Sequence, residues 1–175
     1  MSADRHPVIV KTLLWEDEAS TASFAQALAR RSAIGRALIE LRGDLGAGKT
    51  TFTRHLLKSL GIQGRIKSPT YAVVETYTLA PTDQPPGHNG SDTIWHFDFY
   101  RFNDPREWEE AGFRDIFASP GLKLVEWPDK AAPHLPPPDL VIHIEMQADE
   151  SRLITLTAYT PTGTELILDI LPSLK

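Results

Sequence analysis

The sequence has no cysteine in its 175 residues, which excludes a disulfide framework, a thiolate-ligated zinc and a thiol nucleophile. It has no run of about 18 apolar residues, the length a membrane helix needs. The apolar stretch in the opening MSADRHPVIVKTLLW is broken by Lys11 and followed by no small-residue cleavage site, so the expectation is a cytoplasmic protein without a membrane segment. Excess positive charge is also missing. Eighteen Lys and Arg stand against 23 Asp and Glu, a net charge of −5, which argues against a chain coated in phosphate contacts to nucleic acid. The charge is uneven, with 11 basic and 8 acidic residues in 1–90 and the remaining 7 and 15 in 91–175. The first half suits an anionic ligand and the second suits metal ligation or a basic partner surface, although solvated charge is the ordinary explanation of either.

A composition of 41% hydrophobic and 23% charged residues is that of a folded domain, and a chain of this length buries roughly 70% of its unfolded surface without staples. We therefore expect one domain over 1–175. No internal repeat is evident. The Pro, Gly and polar residues of 80–92 leave nothing to bury and read as an exposed loop. The apolar spacing of 18–32 and of Lys49–Leu60, the latter closed by Gly61, predicts helices, and a short helix follows Asp104 with Pro105 in its first turn. Strands are expected at Arg36–Leu41, Tyr71–Thr78, Thr93–Phe99, Leu122–Glu126, Leu140–Glu145, Leu153–Ala158 and Glu165–Ile170. This interleaving predicts an α/β fold, three-layered, with a mixed, mainly parallel sheet.

Gly43-Asp44-Leu45-Gly46-Ala47-Gly48-Lys49-Thr50 matches G-x-x-x-x-G-K-[ST], directly between a predicted strand and a predicted helix, the context this phosphate-binding motif requires. The glycines permit positive φ and close approach of backbone N–H groups to phosphate. The helix N-terminus adds partial positive charge. In that arrangement Lys49 reaches the β- and γ-phosphates, the Thr50 hydroxyl serves Mg²⁺, and Thr51 serves the α-phosphate.

Such a cradle needs acids and hydroxyls opposite it. In Thr93–Arg101, alternation places His96, Asp98 and Tyr100 on one face and Trp95, Phe97 and Phe99 on the other. Asp98 is a candidate metal ligand, directly or through water, whereas His96 reads more readily as a core histidine. Leu122–Glu126 is an apolar strand with a carboxylate at its C-terminal end, where α/β sheets gather ligands. Glu126 is a candidate to bind Mg²⁺ or to position a water. Thr70, in Ser68-Pro69-Thr70-Tyr71, is a weaker candidate for a switch-loop hydroxyl facing the metal or γ-phosphate.

Together GDLGAGKTT at 43–51, SPTY at 68–71, HFDFYR at 96–101 and VEWPD at 125–129 resemble the TsaE family of P-loop ATPases, over about 15–145. The resemblance implies ATP and Mg²⁺ as cofactors, with Lys49 and Thr50 serving both. It implies Thr70 as the switch threonine, Asp98 as the Walker B acid, and Glu126 in the metal and water site with Trp127 beside it. It further implies TsaB and TsaD as partners, and hydrolysis that supports formation of threonylcarbamoyladenosine next to the tRNA anticodon, with tRNA met only through the complex and the carbamoyl transfer left to TsaD. The segment 146–175, expected as terminal strands, carries no motif.

A small-molecule kinase would use the same cradle, but 80–92 contains no Arg or Lys for a phosphate-covering lid. The sequence also lacks the Asn-Lys-x-Asp element of GTPases and the Leu-Ser-Gly-Gly signature of transporter ATPases. Arg42, Arg65 and Arg101 are the candidates for an activating arginine.

Overall fold

The computed structural model describes residues 6–66, 69, 73–80, 91–168 and 170. Seven strands form one sheet in the order β1-β7-β6-β2-β5-β4-β3. They are β1 (Ile9–Trp15), β2 (Leu38–Arg42), β3 (Val74–Thr78), β4 (Thr93–Asp98), β5 (Leu122–Glu126), β6 (Leu140–Met146) and β7 (Arg152–Ala158). The four central strands, β6-β2-β5-β4, run parallel. Antiparallel pairs β6·β7, β7·β1 and β3·β4 extend them on both sides. Strands β2 and β5 are buried along nearly their whole length, as expected for strands covered on both faces, and carry Glu40, Lys123 and Glu126 among their buried residues.

One face is covered by α1 (Glu18–Ala29), α2 (Lys49–Ser59) and α5 (Pro161–Ile167). Phe24 and Leu28 of α1, Phe52 and Leu56 of α2, and Leu166 of α5 meet Ile39, Leu41, Leu124 and Ile142 of the sheet in one buried cluster. The rings of Trp15, Phe24 and Phe52 lie 5.4–6.0 Å apart at its centre. Asp17 caps α1 by accepting from the Ser20 backbone N–H at 2.9 Å. The opposite face carries α3 (Pro105–Glu110) and α4 (Phe113–Ala118). There Trp108 and Phe113 pack with Phe97, Phe99 and Val125. The result is the expected three-layer α/β arrangement. Among the described residues, no helix is long and apolar enough to cross a membrane.

Several expectations are corrected. Glu165–Ile170 is not a strand, because Thr160 accepts from the Gly163 N–H at 3.2 Å and Pro161 opens α5 as its first-turn residue. The 146–175 segment thus contributes a strand and a helix. The first helix ends at Ala29, three residues early, and a 3₁₀ turn over Ser32–Arg36 follows. Neither β1 nor α4 was expected. Of the strand expected at Tyr71–Thr78, Tyr71 and Ala72 lie outside the described residues and Val74–Thr78 is extended. The loop reading for 80–92 falls mostly on 81–90, also outside them.

Candidate functional site

The chain leaves β2 at its C-terminal end, makes the turn Gly43–Gly48, and enters α2 at Lys49. The turn depends on glycine, with φ of +149° at Gly43, +80° at Gly46 and +115° at Gly48. At Gly43 a Cβ would lie 2.4 Å from the Ile144 carbonyl oxygen, so only hydrogen fits. Gly48 caps α2 without a side-chain hydrogen bond, which leaves first-turn N–H groups to an anion. Ala47 is buried, whereas Leu45 stands exposed at the turn's tip.

Lys49 is buried to 5% exposure. Its Nζ donates to the carbonyls of Gly43 and Asp44 and sits 4.3 Å from the Trp127 ring centroid. Burial pushes this ammonium below the ordinary lysine value, opposed by the carboxylates of Glu126, Asp98 and Asp44. Those partners form the opposite wall. In the parallel register Leu41, Glu126 and Asp98 lie side by side on β2, β5 and β4, so both acids reach the C-terminal edge of the sheet at the level where the turn begins. The Thr50 hydroxyl donates to Glu126 Oε1 at 3.2 Å. Asp98 Oδ1 accepts from the Tyr100 N–H at 3.0 Å. The Trp127 backbone is left-handed, with φ +55°.

A cleft of about 480 Å³ is lined by Lys49, Thr50, Asp98, Arg101, Glu126 and Trp127. A second, of about 370 Å³, is lined by Trp15, Asp17, Met146 and Arg152. Gly48 and Thr51 border both, so the two meet across the start of α2. The expected residues 43–51, Asp98 and Glu126 are thus brought together. Thr70, Ser68 and Tyr71 lie outside the described residues, while Pro69 is buried. Of the candidate arginines, Arg101 lines the first cleft, Arg42 is held by Glu40 at 2.8 Å and Asp129 at 3.3 Å, and Arg65 is exposed.

Two residues gain importance only in three dimensions. Arg152 donates from Nε to the Ala47 carbonyl at 2.8 Å, pinning the turn from β7 with no sequence signal to announce it. His96, completely buried, approaches Glu126 Oε2 at 2.6 Å. The reading of this residue as a structural or satisfied core histidine agrees with its burial and its partnered Nε2; that the partner is Glu126 depends on the pairing of β4 with β5.

The donors fit a magnesium–triphosphate pair. Among the described residues no group of three or more acidic or imidazole side chains could hold a metal. One hydroxyl and one or two carboxylates beside a phosphate cradle suit Mg²⁺, which keeps waters and takes substrate phosphates as its remaining ligands.

A mixed sheet with a parallel centre, a glycine turn feeding a helix, and acids facing that turn at the C-terminal edge of the central strands define a P-loop α/β protein. The family model "Threonylcarbamoyl adenosine biosynthesis protein TsaE" matches residues 15–154. The chain belongs to the TsaE family, whose role is in tRNA threonylcarbamoyladenosine biosynthesis. It is 40% identical over 144 residues to the tRNA threonylcarbamoyladenosine biosynthesis protein TsaE of Haemophilus influenzae, covering 82% of this chain and 84% of that relative. The Bacillus subtilis protein of the same name is 37% identical over 121 residues, 69% of each chain. The crystal structure of Bacillus subtilis YdiB superposes with a TM-score of 0.69 at 27% identity, over 97% of this chain and 99% of that one.

Proposed function

We propose that the chain, acting as one P-loop domain over 1–175, is a Mg²⁺-dependent ATPase. In this reading its hydrolysis supports a TsaB–TsaD complex in forming threonylcarbamoyladenosine next to the tRNA anticodon, in the cytoplasm and without direct contact with tRNA. The observation that carries the reading is the hydrogen bond from Thr50 to Glu126, which joins the first turn of α2 to the acidic edge of the sheet. In this reading residues 43–48 surround the phosphates with backbone N–H groups, and the second cleft takes the nucleoside. Lys49 leaves the turn's carbonyls for the β- and γ-phosphate oxygens, a better partner for a buried ammonium. Thr50, with Asp98 or Glu126, holds Mg²⁺. When bound, that ion neutralises charge on the phosphoryl oxygens during transfer to water. The acid not on the metal orients the attacking water, Trp127 closes the side of the cleft, and Thr70 serves as the switch hydroxyl.

An arginine aimed at the transferring phosphoryl group adds about 10³–10⁵ to the rate. Arg42 is already engaged by two acids and Arg101 lines the cleft; with neither assigned to the transferring phosphoryl group, we expect slow turnover from the chain alone and stimulation by its partners. ATP turnover with and without TsaB and TsaD tests the reading. A rate that rises only with the partners supports it; absence of Mg²⁺-dependent ATP binding, or phosphate transfer to a small hydroxyl compound independent of the partners, rejects it.

A further inference from the structure

His96 lies at the centre of β4, two residues before Asp98 and wholly buried. It lines neither cleft, and its side chain has no exposed surface. Its Nε2 is 2.6 Å from Glu126 Oε2, and Glu126, 2% exposed, turns its other oxygen to Thr50 at 3.2 Å. A carboxylate only accepts, so the imidazole donates from Nε2–H. Among the described residues Nδ1 has no hydrogen-bond partner.

For stability alone this is a poor use of a core position. Burying two polar groups costs desolvation, and an apolar pair of similar shape is often as stable or more so. The pair does accomplish one thing. A glutamate has three rotatable bonds, and anchoring Oε2 from the neighbouring strand leaves Oε1 aimed at the Thr50 hydroxyl. We infer that His96 is a positioning residue, which donates from Nε2 to hold the Glu126 carboxylate in the orientation that serves the magnesium end of the cleft. This rests on the proposed nucleotide reading and adds a residue to it. Strand β4 thereby supplies both an acid of the site and the group that orients the acid on β5.

The test compares His96→Gln with His96→Asn. A glutamine amide nitrogen reaches the place of Nε2, whereas that of asparagine reaches only the place of Nδ1. ATP affinity is measured by calorimetry with Mg²⁺ and again in EDTA, and the ratio of the two is the readout, since a merely structural loss moves both alike. Groups that orient ligands change affinity or activity by about 10–100-fold, so His96→Asn should lower the ratio by about that factor with EDTA affinity nearly unchanged, while His96→Gln stays near wild type. An unchanged ratio in His96→Asn, or equal losses in both variants, overturns the inference. Should the asparagine variant not fold, ¹⁵N-histidine spectra of the wild type decide. Protonation at Nε2, with a resonance that moves on adding ATP with Mg²⁺ but not ATP in EDTA, supports the inference; protonation at Nδ1 or an unmoved resonance overturns it. A wild-type chain that binds no ATP in either condition would remove the nucleotide reading itself, a result distinct from all of these.

Discussion

The Thr50 hydroxyl and the Glu126 carboxylate, 76 residues apart in the chain, meet at 3.2 Å. In the proposed reading a divalent ion would sit between this hydroxyl and the acid, and the two residues should divide binding from turnover differently. Lys49→Ala and Thr50→Ala are expected to abolish ATP turnover. In that reading Glu126→Ala should reduce kcat on the order of 10²-fold or more, a larger factor than its loss of Mg²⁺-dependent ATP affinity, with ATP affinity in EDTA nearly unchanged, because a group that handles the attacking water acts in the transition state. Single-turnover hydrolysis beside equilibrium ATP binding in the three variants checks this; equal loss of binding in all three would contradict it.

Gly43 and Gly46 share positive φ but differ in their surroundings. A Cβ at Gly43 meets the Ile144 carbonyl oxygen at 2.4 Å, whereas one at Gly46 meets nothing within 4 Å. Gly43→Ala therefore combines backbone strain with a collision against β6, worth about 1–3 kcal/mol beyond the strain. Gly46→Ala carries only the left-handed penalty of about 1–2 kcal/mol. Urea unfolding of the two variants should rank Gly43→Ala as the less stable.

The parts of this molecule legible in the sequence are those whose cause is local. The spacing of Gly43, Gly48, Lys49 and Thr50 specifies a turn followed by a helix, and the apolar run before Glu126 specifies a buried strand ending in an acid. Asp104 with Pro105 announces α3 in the same way. The contacts of Arg152 with Ala47 and of His96 with Glu126 depend on strand order, which no local pattern encodes. The burial of β1 alternates, but its outward side carries Val10 and Leu14, both exposed, and its more buried side carries Lys11, so no polar alternation marks the strand. At the other end, the alternation in Glu165–Ile170 imitates a strand, and the cap of Thr160 with Pro161 overrides it. Packing reinforces that outcome: a Cβ at Gly163 would fall 1.9 Å from the Asp139 carbonyl, so α5 sits directly against the start of β6.

Acid should weaken the fold through its caps. Asp17 is held below the ordinary value of 3.8 chiefly by the Ser20 backbone N–H, and Asp104 chiefly by the Arg106 side chain. A carboxyl whose value is lowered on folding contributes stability that is complete above its unfolded value and is lost as pH falls through the folded one. The thermal midpoint should therefore drop as pH decreases below about 3.8, and the doubly substituted Asp17→Asn, Asp104→Asn chain should show a shallower decline there. Asparagine still caps a helix, so at pH 7 the variant keeps its helices. Identical slopes for the two proteins in acid would refute the assignment.

Trp127 combines a left-handed backbone with a ring over the Lys49 ammonium, and the two features can be separated. The ring lies 4.3 Å from Lys49 Nζ and 5.0 Å from the ring of Tyr100, while φ is +55°. Trp127→Ala removes the ring and keeps the strain; Trp127→Gly removes both. Because alanine is penalised in this conformation and glycine is not, the glycine variant should be the more stable by about 1 kcal/mol, the left-handed penalty less the extra freedom glycine gains when unfolded. Both variants lose the same contact beside Lys49, so their affinities for ATP should match each other and fall below wild type. Denaturant midpoints that differ while ATP dissociation constants agree would establish that the backbone and the ring of Trp127 act separately; an alanine variant at least as stable as the glycine one would show that the strain is absent.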